Sequence, residues 1–198
     1  MTIRPVIIDI RLPAGLAGPD PMDIDVRCFL ITHPSGIALI DTATPGSTSQ
    51  IENALTDLGA TWADISDILL SHDHADHIGG LPDVIAHAPR ATVWGNAPLT
   101  TRPLADGGTL RGLTVLATPG HTDGHVSLLH DNGALLVGDL VGNTNGTLTR
   151  APAPFTADAT QAEQSLHRIC QLDVQRLLTA HGAELPNAPE TLRALVHA

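Results

Sequence analysis

Lysine and tyrosine are absent from this chain of 198 residues, aromatic residues make up 2% of it, and it has only two cysteines. Without lysine there is no amine for Schiff-base chemistry and no phosphate-loop ammonium. The ten basic residues are therefore all arginine, and against twenty-one Asp and Glu they leave a formal charge of −11. Binding to a polyphosphate backbone needs clustered cations, so this balance argues against a nucleic-acid partner. No run approaches the ~20 apolar residues of a membrane span. The start, Met1-Thr2-Ile3-Arg4-Pro5, lacks the charged-then-apolar order of an export signal. The expected setting is cytoplasmic, with no membrane partner. Cys28 and Cys170 lie among apolar neighbours and read as reduced core residues rather than a disulfide. With so few aromatic rings the core falls to Leu, Ile, Val and Ala. Apolar residues make up 42% of the chain, and its length suits one domain over 1–198 that buries roughly 70% of its unfolded surface.

Histidine, by contrast, is abundant, with eleven residues. Their setting is a series of short apolar runs divided by Gly, Pro and Asp. Strands are predicted at 6–10, 26–32, 37–40, 65–70, 91–94, 113–117, 126–130, 134–137 and 174–178. Helices are predicted from Ser47 to about Leu58, from Ile78 to His87, and from Asp158 or Thr160 to about Leu172. Residues 141–155 read as a long irregular loop, a kind of segment that is usually functional or mobile. The string falls into two similar halves of strands and helix, which implies a layered α/β fold.

The chemistry concentrates where the 65–70 strand runs into Ser71-His72-Asp73-His74-Ala75-Asp76-His77. His72 and His74, two apart on extended backbone, point to one side, and Gly79-Gly80 supply a turn that swings Asp76 and His77 toward the same space. Any one of these could be a solvated histidine or a helix cap. Four together at a strand end require something to neutralise and organise them, and a cation does both. The donors are nitrogen and oxygen without thiolate, which suits zinc and tolerates iron or manganese. Further strand-end candidates, each beside a glycine, are His121, Asp139 and His181.

These motifs together, His-x-His-x-Asp-His at 72–77, Pro-Gly-His-Thr-x-Gly-His at 119–125, Gly138-Asp139 and His181-Gly182, resemble the metallo-β-lactamase superfamily over roughly residues 5–185. The resemblance implies a four-layer αββα sandwich of two mixed β-sheets flanked by helices, with the ligands on loops at one edge. It implies that His72, His74 and His121 hold a first metal, that Asp76, His77 and His181 hold a second, and that Asp139 bridges them. Two Zn²⁺ per chain are expected. Two divalent ions against two carboxylates leave a positive centre, and ions about 3.5–4 Å apart can share a water and lower its pKa toward ~7. The expected reaction is attack by the resulting hydroxide, with Asp76 and Asp139 as catalytic carboxylates and Asp76 passing the proton on.

Imidazole ligands need a partner for the second ring nitrogen, and Asp41, Ser71, Asp73, Thr118, Thr122 and His125 are candidates in the second layer. His87, His130, His167 and His197 read as surface residues. Arg150 and Arg102 are candidate anchors for a substrate carboxylate, with a solvated surface charge as the competing reading, and Phe155 and Leu148 are candidates for an apolar wall under the 141–155 loop. No lysine is present to grip a β-lactam carboxylate and no tyrosine to assist lactone opening. Only a short tail follows His181, so the helical glutathione-binding domain of classical glyoxalase-II relatives is not expected. The best expectation is a hydrolase of an ester, thioester or lactone of a small molecule, as monomer or homodimer. Alternatives are a mononuclear-iron persulfide-dioxygenase-like oxidoreductase, a β-lactam hydrolase, or a non-catalytic binding module.

Overall fold

The computed structural model describes residues 2–16 and 18–196; His197 lies outside them. The chain divides into two compact units, Met1–Ile10 with Asp25–Leu104 and Arg11–Ile24 with Ala105–Ala198.

A five-stranded mixed sheet comes first: β1 (Ile3–Leu12), β2 (Met22–His33), β3 (Gly36–Ile40), β4 (Ile65–Leu69) and β5 (Thr92–Trp94), neighbours in that order. β2 and β3 form an antiparallel hairpin, while β3, β4 and β5 run parallel. Parallel pairing puts the C-terminal ends of β3 and β4 at the same edge, and both lead into chemistry-bearing residues, Asp41 and Ser71–His77. Helix α1 (Thr48–Asp57) buries Ile51, Ala54 and Leu55, spaced three and four apart on one face. They pack with Leu30, Leu39 and Ile68 of the sheet in one apolar cluster. Each such leucine or isoleucine contributes about 1.5–3 kcal/mol by leaving water. Cys28 is part of this cluster and is not disulfide-bonded. Burial pushes its thiol pKa up, with the nearby Asp41 carboxylate adding to the effect, so it remains a protonated core residue.

The single helix predicted over 78–87 is two, α2 (Ala75–Ile78) and α3 (Leu81–His87), separated by Gly79-Gly80. Both glycines have ordinary right-handed φ, −61° and −79°. They are needed for a different reason than the expected turn: a Cβ at Gly79 would run into the Ala75 carbonyl, and one at Gly80 into the Thr42 carbonyl. The helix pair thus lies directly on the backbone that follows β3.

The other sheet contains β6 (Thr109–Leu110), β7 (Leu113–Ala117), β8 (Val126–His130) and β9 (Ala134–Gly138). A separate two-stranded ribbon, β10 (Val141–Thr144) and β11 (Thr147–Arg150), comes next in the chain, and β12 (Arg176–Thr179) completes the sheet in the order β12-β9-β8-β7-β6. Only β12 pairs in parallel, with β9. Helices α4 (Ala159–Ile169) and α5 (Ala188–Val196) supply Leu166, Ile169 and Leu192 to a cluster with Leu135, Val137 and Leu177. Asp158 caps α4 by accepting from Gln161 N at 2.9 Å, one of the two caps expected. Both units therefore place helices against a mixed sheet. His87 and His167 are exposed as expected, but His130 is buried, its Nδ1 accepting from Asn132 N at the β8–β9 turn.

The structure corrects the reading of residues 141–155 as an irregular loop. They form the β10–β11 hairpin followed by a 3₁₀ turn, Ala153–Phe155. The turn is Asn145-Gly146, with φ of 52° and 84°, the left-handed pair that a two-residue hairpin of this type demands. The flanking Val-Gly-Asn-Thr lacks the alternation that would have marked it as a strand. Leu148 belongs to the apolar cluster, not to an open wall. Arg150 forms a fork with Glu163 (Nε to Oε2 2.7 Å, Nη2 to Oε1 2.9 Å) and donates to the Leu195 carbonyl at 3.0 Å. Its guanidinium thus ties β11 to α4 and α5, and hydrogen bonding to it holds the Glu163 carboxyl below its ordinary pKa.

Two outcomes follow. Replacing Asn145-Gly146 by Ala-Ala should lower stability by about 2–4 kcal/mol, at ~1–2 kcal/mol for each left-handed alanine, read as a shift in the denaturant midpoint. Arg150→Ala should cost only about 0.5–1 kcal/mol, since the pair is largely exposed, and should leave KM unchanged for any substrate that is turned over. A large rise in KM would show that this arginine grips substrate after all.

Candidate metal centre

In the first unit the Ser71–His77 segment hangs on Asp41. This residue follows β3 with φ of 60°, and its N–H donates to the Leu69 carbonyl at 2.9 Å. The left-handed backbone turns its carboxylate toward the end of β4. Oδ1 accepts from Ser71 N at 2.7 Å, and Oδ2 accepts from Ser71 Oγ at 2.7 Å and from His77 Nδ1 at 3.0 Å. Ser71 spends its one hydroxyl proton on Asp41, so at 3.0 Å it accepts from His72 Nδ1. Both imidazoles are thereby set with Nδ1–H as donor and the lone pair on Nε2, the state a metal ligand requires.

The rings gather closely. His72 lies 4.9 Å from His74 and 4.0 Å from His77 between centroids, and His77 Nε2 is 3.9 Å from Asp76 Oδ2. His72 and His77 are buried, His74 and Asp76 are partly exposed, and Asp73 is exposed. Thr42 is a residue that sequence reasoning missed: its N–H and hydroxyl both donate to the His77 carbonyl, at 2.7 and 2.9 Å, pinning α2 from the main chain. A threonine after a strand carries no signal for such a role.

The second unit presents His121, Asp139 and His181, each just past a strand. Oδ2 of Asp139 lies 3.5 Å from His121 Nε2 and 3.3 Å from His181 Nε2. The His121 loop is strapped to α4 and the residues before it: Ala157 N donates to His121 O, Asp158 N to Gly120 O, and Ser165 Oγ to Pro119 O. A Cβ at Gly120 would collide with the Ala162 backbone, so this approach needs glycine. His181 is held from the β10–β11 hairpin, where Asn143 N donates to its carbonyl at 3.0 Å and Asn143 Nδ2 to Ala183 O at 2.6 Å. The segment expected to be an irregular loop is thus a brace for His181.

These spacings test whether a cation fits. Two ligands of a tetrahedral zinc at ~2.0–2.1 Å sit about 3.3 Å apart. The Asp139 contacts are close to that separation, so a cation placed among these atoms would meet carboxylate oxygen and imidazole nitrogen at bonding distance. The donors are all imidazole nitrogen and carboxylate oxygen, so the set fits a borderline divalent metal.

The remaining sequence candidates lie as follows. His125 is buried and meets the Asp139 main chain, accepting from Asp139 N at Nε2 (3.1 Å), with Nδ1 2.9 Å from Thr118 Oγ1. Arg102 is exposed, its guanidinium 5.9 Å from the Trp94 ring centre. Phe155 is half-buried in the 3₁₀ turn, and Arg150 is engaged by Glu163. Among the described residues no helix is long and apolar enough to cross a membrane.

Comparison with known proteins agrees with this geometry. The family model of the metallo-beta-lactamase superfamily matches residues 23–97 and 88–181. The uncharacterized protein YobT of Bacillus subtilis is 30% identical over 89% of this chain and 91% of its own length. A hydroxyacylglutathione hydrolase of Salmonella typhi is 32% identical over 87% of this chain and 68% of its own. The lactamase-like protein vrtG of Penicillium aethiopicum is 37% identical over 66% of this chain, which spans only 43% of that relative's length. Among solved structures, a beta-lactamase from Chitinophaga pinensis has a TM-score of 0.66 at 20% identity, covering 88% of this chain and 87% of its own. A metallo-beta-lactamase family protein from Thermus thermophilus also has 0.66, at 21% identity, covering 98% and 78%. At these identities the structural likeness establishes the fold, which is that of the metallo-beta-lactamases. With its ligand motifs in family order, and with the family model spanning most of its length, the chain belongs to the metallo-beta-lactamase superfamily of metal-dependent hydrolases.

Proposed function

We propose that the chain is a binuclear zinc hydrolase cleaving an ester, thioester or lactone bond of a small molecule. The observation that carries this reading is the make-up of the donor set in each unit: in the first, four donors follow β4, and in the second, His121 and His181 lie within 3.5 Å of Asp139 Oδ2. In this reading His72, His74 and His121 would hold one ion, Asp76, His77 and His181 the other, and Asp139 would serve both. The ions when bound would supply Lewis acidity toward a substrate carbonyl and an acidified water as nucleophile.

The chain's own groups have the remaining work. Asp41 and Ser71 keep His72 and His77 in the Nδ1–H tautomer, so that neither ring can turn its lone pair away. Asp76 is the better placed of the two carboxylates to move a proton, because its side chain is 27% exposed against 11% for Asp139. A carboxylate oxygen of Asp76 can accept the nucleophile's proton and return it to the leaving group. The thioester member of the substrate range is supported by the relatives named hydroxyacylglutathione hydrolase. The absence of lysine disfavours a β-lactam, since the planar guanidinium of an arginine replaces a compact ammonium only imperfectly at its carboxylate.

Elemental analysis of the purified protein, paired with a panel of thioesters, lactones, phosphodiesters and a β-lactam, tests the proposal. The expected outcome is about two zinc per chain and turnover of a thioester or lactone. Asp139→Ala should lose metal and lower kcat/KM by at least ~10³, in line with the several kcal/mol a metal contributes to such a barrier. Asp76→Asn should cut kcat about 10²–10⁴-fold, the range for a general acid–base. One iron per chain with no hydrolysis would replace this reading with an oxidoreductase, and undiminished hydrolysis by metal-poor Asp139→Ala would sink it.

A further inference from the structure

A ring of buried hydrogen bonds in the second unit connects two backbone groups on either side of Gly138. Asp139 N–H donates to His125 Nε2 at 3.1 Å. Nδ1 of His125 lies 2.9 Å from Thr118 Oγ1, which lies 3.0 Å from Ser127 Oγ. Ser127 Oγ donates to the Val137 carbonyl at 3.1 Å, closing the ring. Thr118, His125 and Ser127 are all at most 1% exposed, so water does not substitute for any of these partners.

The two ends fix the direction of everything between them. A peptide N–H can only donate, so His125 Nε2 must carry a lone pair. A carbonyl can only accept, so the Ser127 proton goes to Val137. Ser127 then accepts from Thr118 at 3.0 Å, closer than the Leu116 carbonyl at 3.5 Å that the same hydroxyl also faces; with either acceptor Thr118 accepts from His125, and the imidazole proton is on Nδ1. The main chain reinforces the same frame, since Thr118 N donates to His125 O at 3.0 Å. Gly138 completes it: its φ is 59°, and a Cβ there would lie 2.5 Å from His125 Nε2. Only glycine lets the ring reach the Asp139 peptide.

We infer that His125 is a positioning residue for Asp139, held as the Nδ1–H tautomer by a one-way hydrogen-bond chain that leaves the Asp139 N–H and returns through Thr118 and Ser127 to Val137 O. This rests on reading Asp139 as a metal ligand. His125 thus acts on the peptide of a ligand carboxylate, whereas the sequence had suggested it as a partner for a ligand imidazole. The direction of the chain matters because the other tautomer would set Nε2–H against the Asp139 N–H, donor to donor, and push the carboxylate off its place between His121 and His181.

Two measurements test this. Long-range ¹H–¹⁵N spectra of the metal-free wild-type protein, with the His125 signals assigned by their loss in His125→Asn, should show the neutral Nδ1–H pattern. Chelator competition for Zn²⁺ should then compare Thr118→Val, which removes the hydroxyl at nearly constant volume, with Thr118→Ser, which keeps it. Thr118→Val is expected to retain zinc at least ~10-fold less tightly, as for other groups that orient a ligand, and Thr118→Ser to match wild type. An Nε2–H imidazole in the wild type, or zinc retention by Thr118→Val equal to wild type, overturns the inference. If Thr118→Val does not fold, the wild-type spectrum alone decides. A wild-type protein that takes up no zinc would sink the hydrolase reading, while the tautomer would still report on the ring.

Discussion

The Asp41 carboxylate accepts three hydrogen bonds, from Ser71 N, Ser71 Oγ and His77 Nδ1, and the arrangement of the Ser71–His77 segment depends on it. A buried carboxylate is costly to desolvate unless its lone pairs are occupied, and here the groups that occupy them are those whose orientation the site needs. One anion thereby sets the end of β4, the tautomer of His77 directly and that of His72 through Ser71. The left-handed backbone at Asp41 is strain of the kind that persists only where surroundings over-determine it. The parallel pairing of β3 and β4 provides that surrounding, since it brings the two strand ends to one edge.

The second unit meets the same requirement by different means. Its three donors come from three separate strand ends and cannot share one anchor. Each is held instead by main-chain carbonyls or amides: the His121 loop by the start of α4, His181 by Asn143 of the β10–β11 hairpin, and Asp139 by the imidazole of His125. The Ala162 backbone leaves no room for a side chain at Gly120, and the His125 imidazole leaves none at Gly138. That the glycines flank the donors is therefore a steric consequence of how the donors are gripped. The peripheral ion pairs have a lesser part, since Arg150–Glu163 and Arg168–Asp106 are substantially exposed and tie elements together without reaching the donors.

Much of this was legible in the residues. The donors stood out because imidazoles and carboxylates crowded at strand ends stay unsatisfied unless a cation gathers them, and most strands were visible as apolar runs with Gly and Asp punctuation. Asp41 and Ser71 were recognisable as partners because a ligand imidazole must have one. Other features left no such mark. The hairpin over 141–150 was hidden because its flanks mix Gly, Asn and Thr without alternation, although Asn145-Gly146 is itself a turn signal. Arg150 looked like a free cation because its partner Glu163 lies on a helix that only folding brings near. The burial of His130, and the grip of Thr42 on the His77 carbonyl, depend on neighbours distant in the chain.

The sequence by itself determined the kinds of donor atom, their order, and the absence of lysine and tyrosine from any recognition of substrate. Those are properties of composition and local pattern, and no folding event alters them. Only the tertiary structure decided which ring nitrogen of His72, His77 and His125 carries the proton, which carbonyl each loop is tied to, and which glycine is required for closeness rather than for a turn. Hydrogen-bond direction is set by partners that arrive from other strands and helices, and steric room by backbones that pass within a few ångströms. Neither can be read from spacing along the chain.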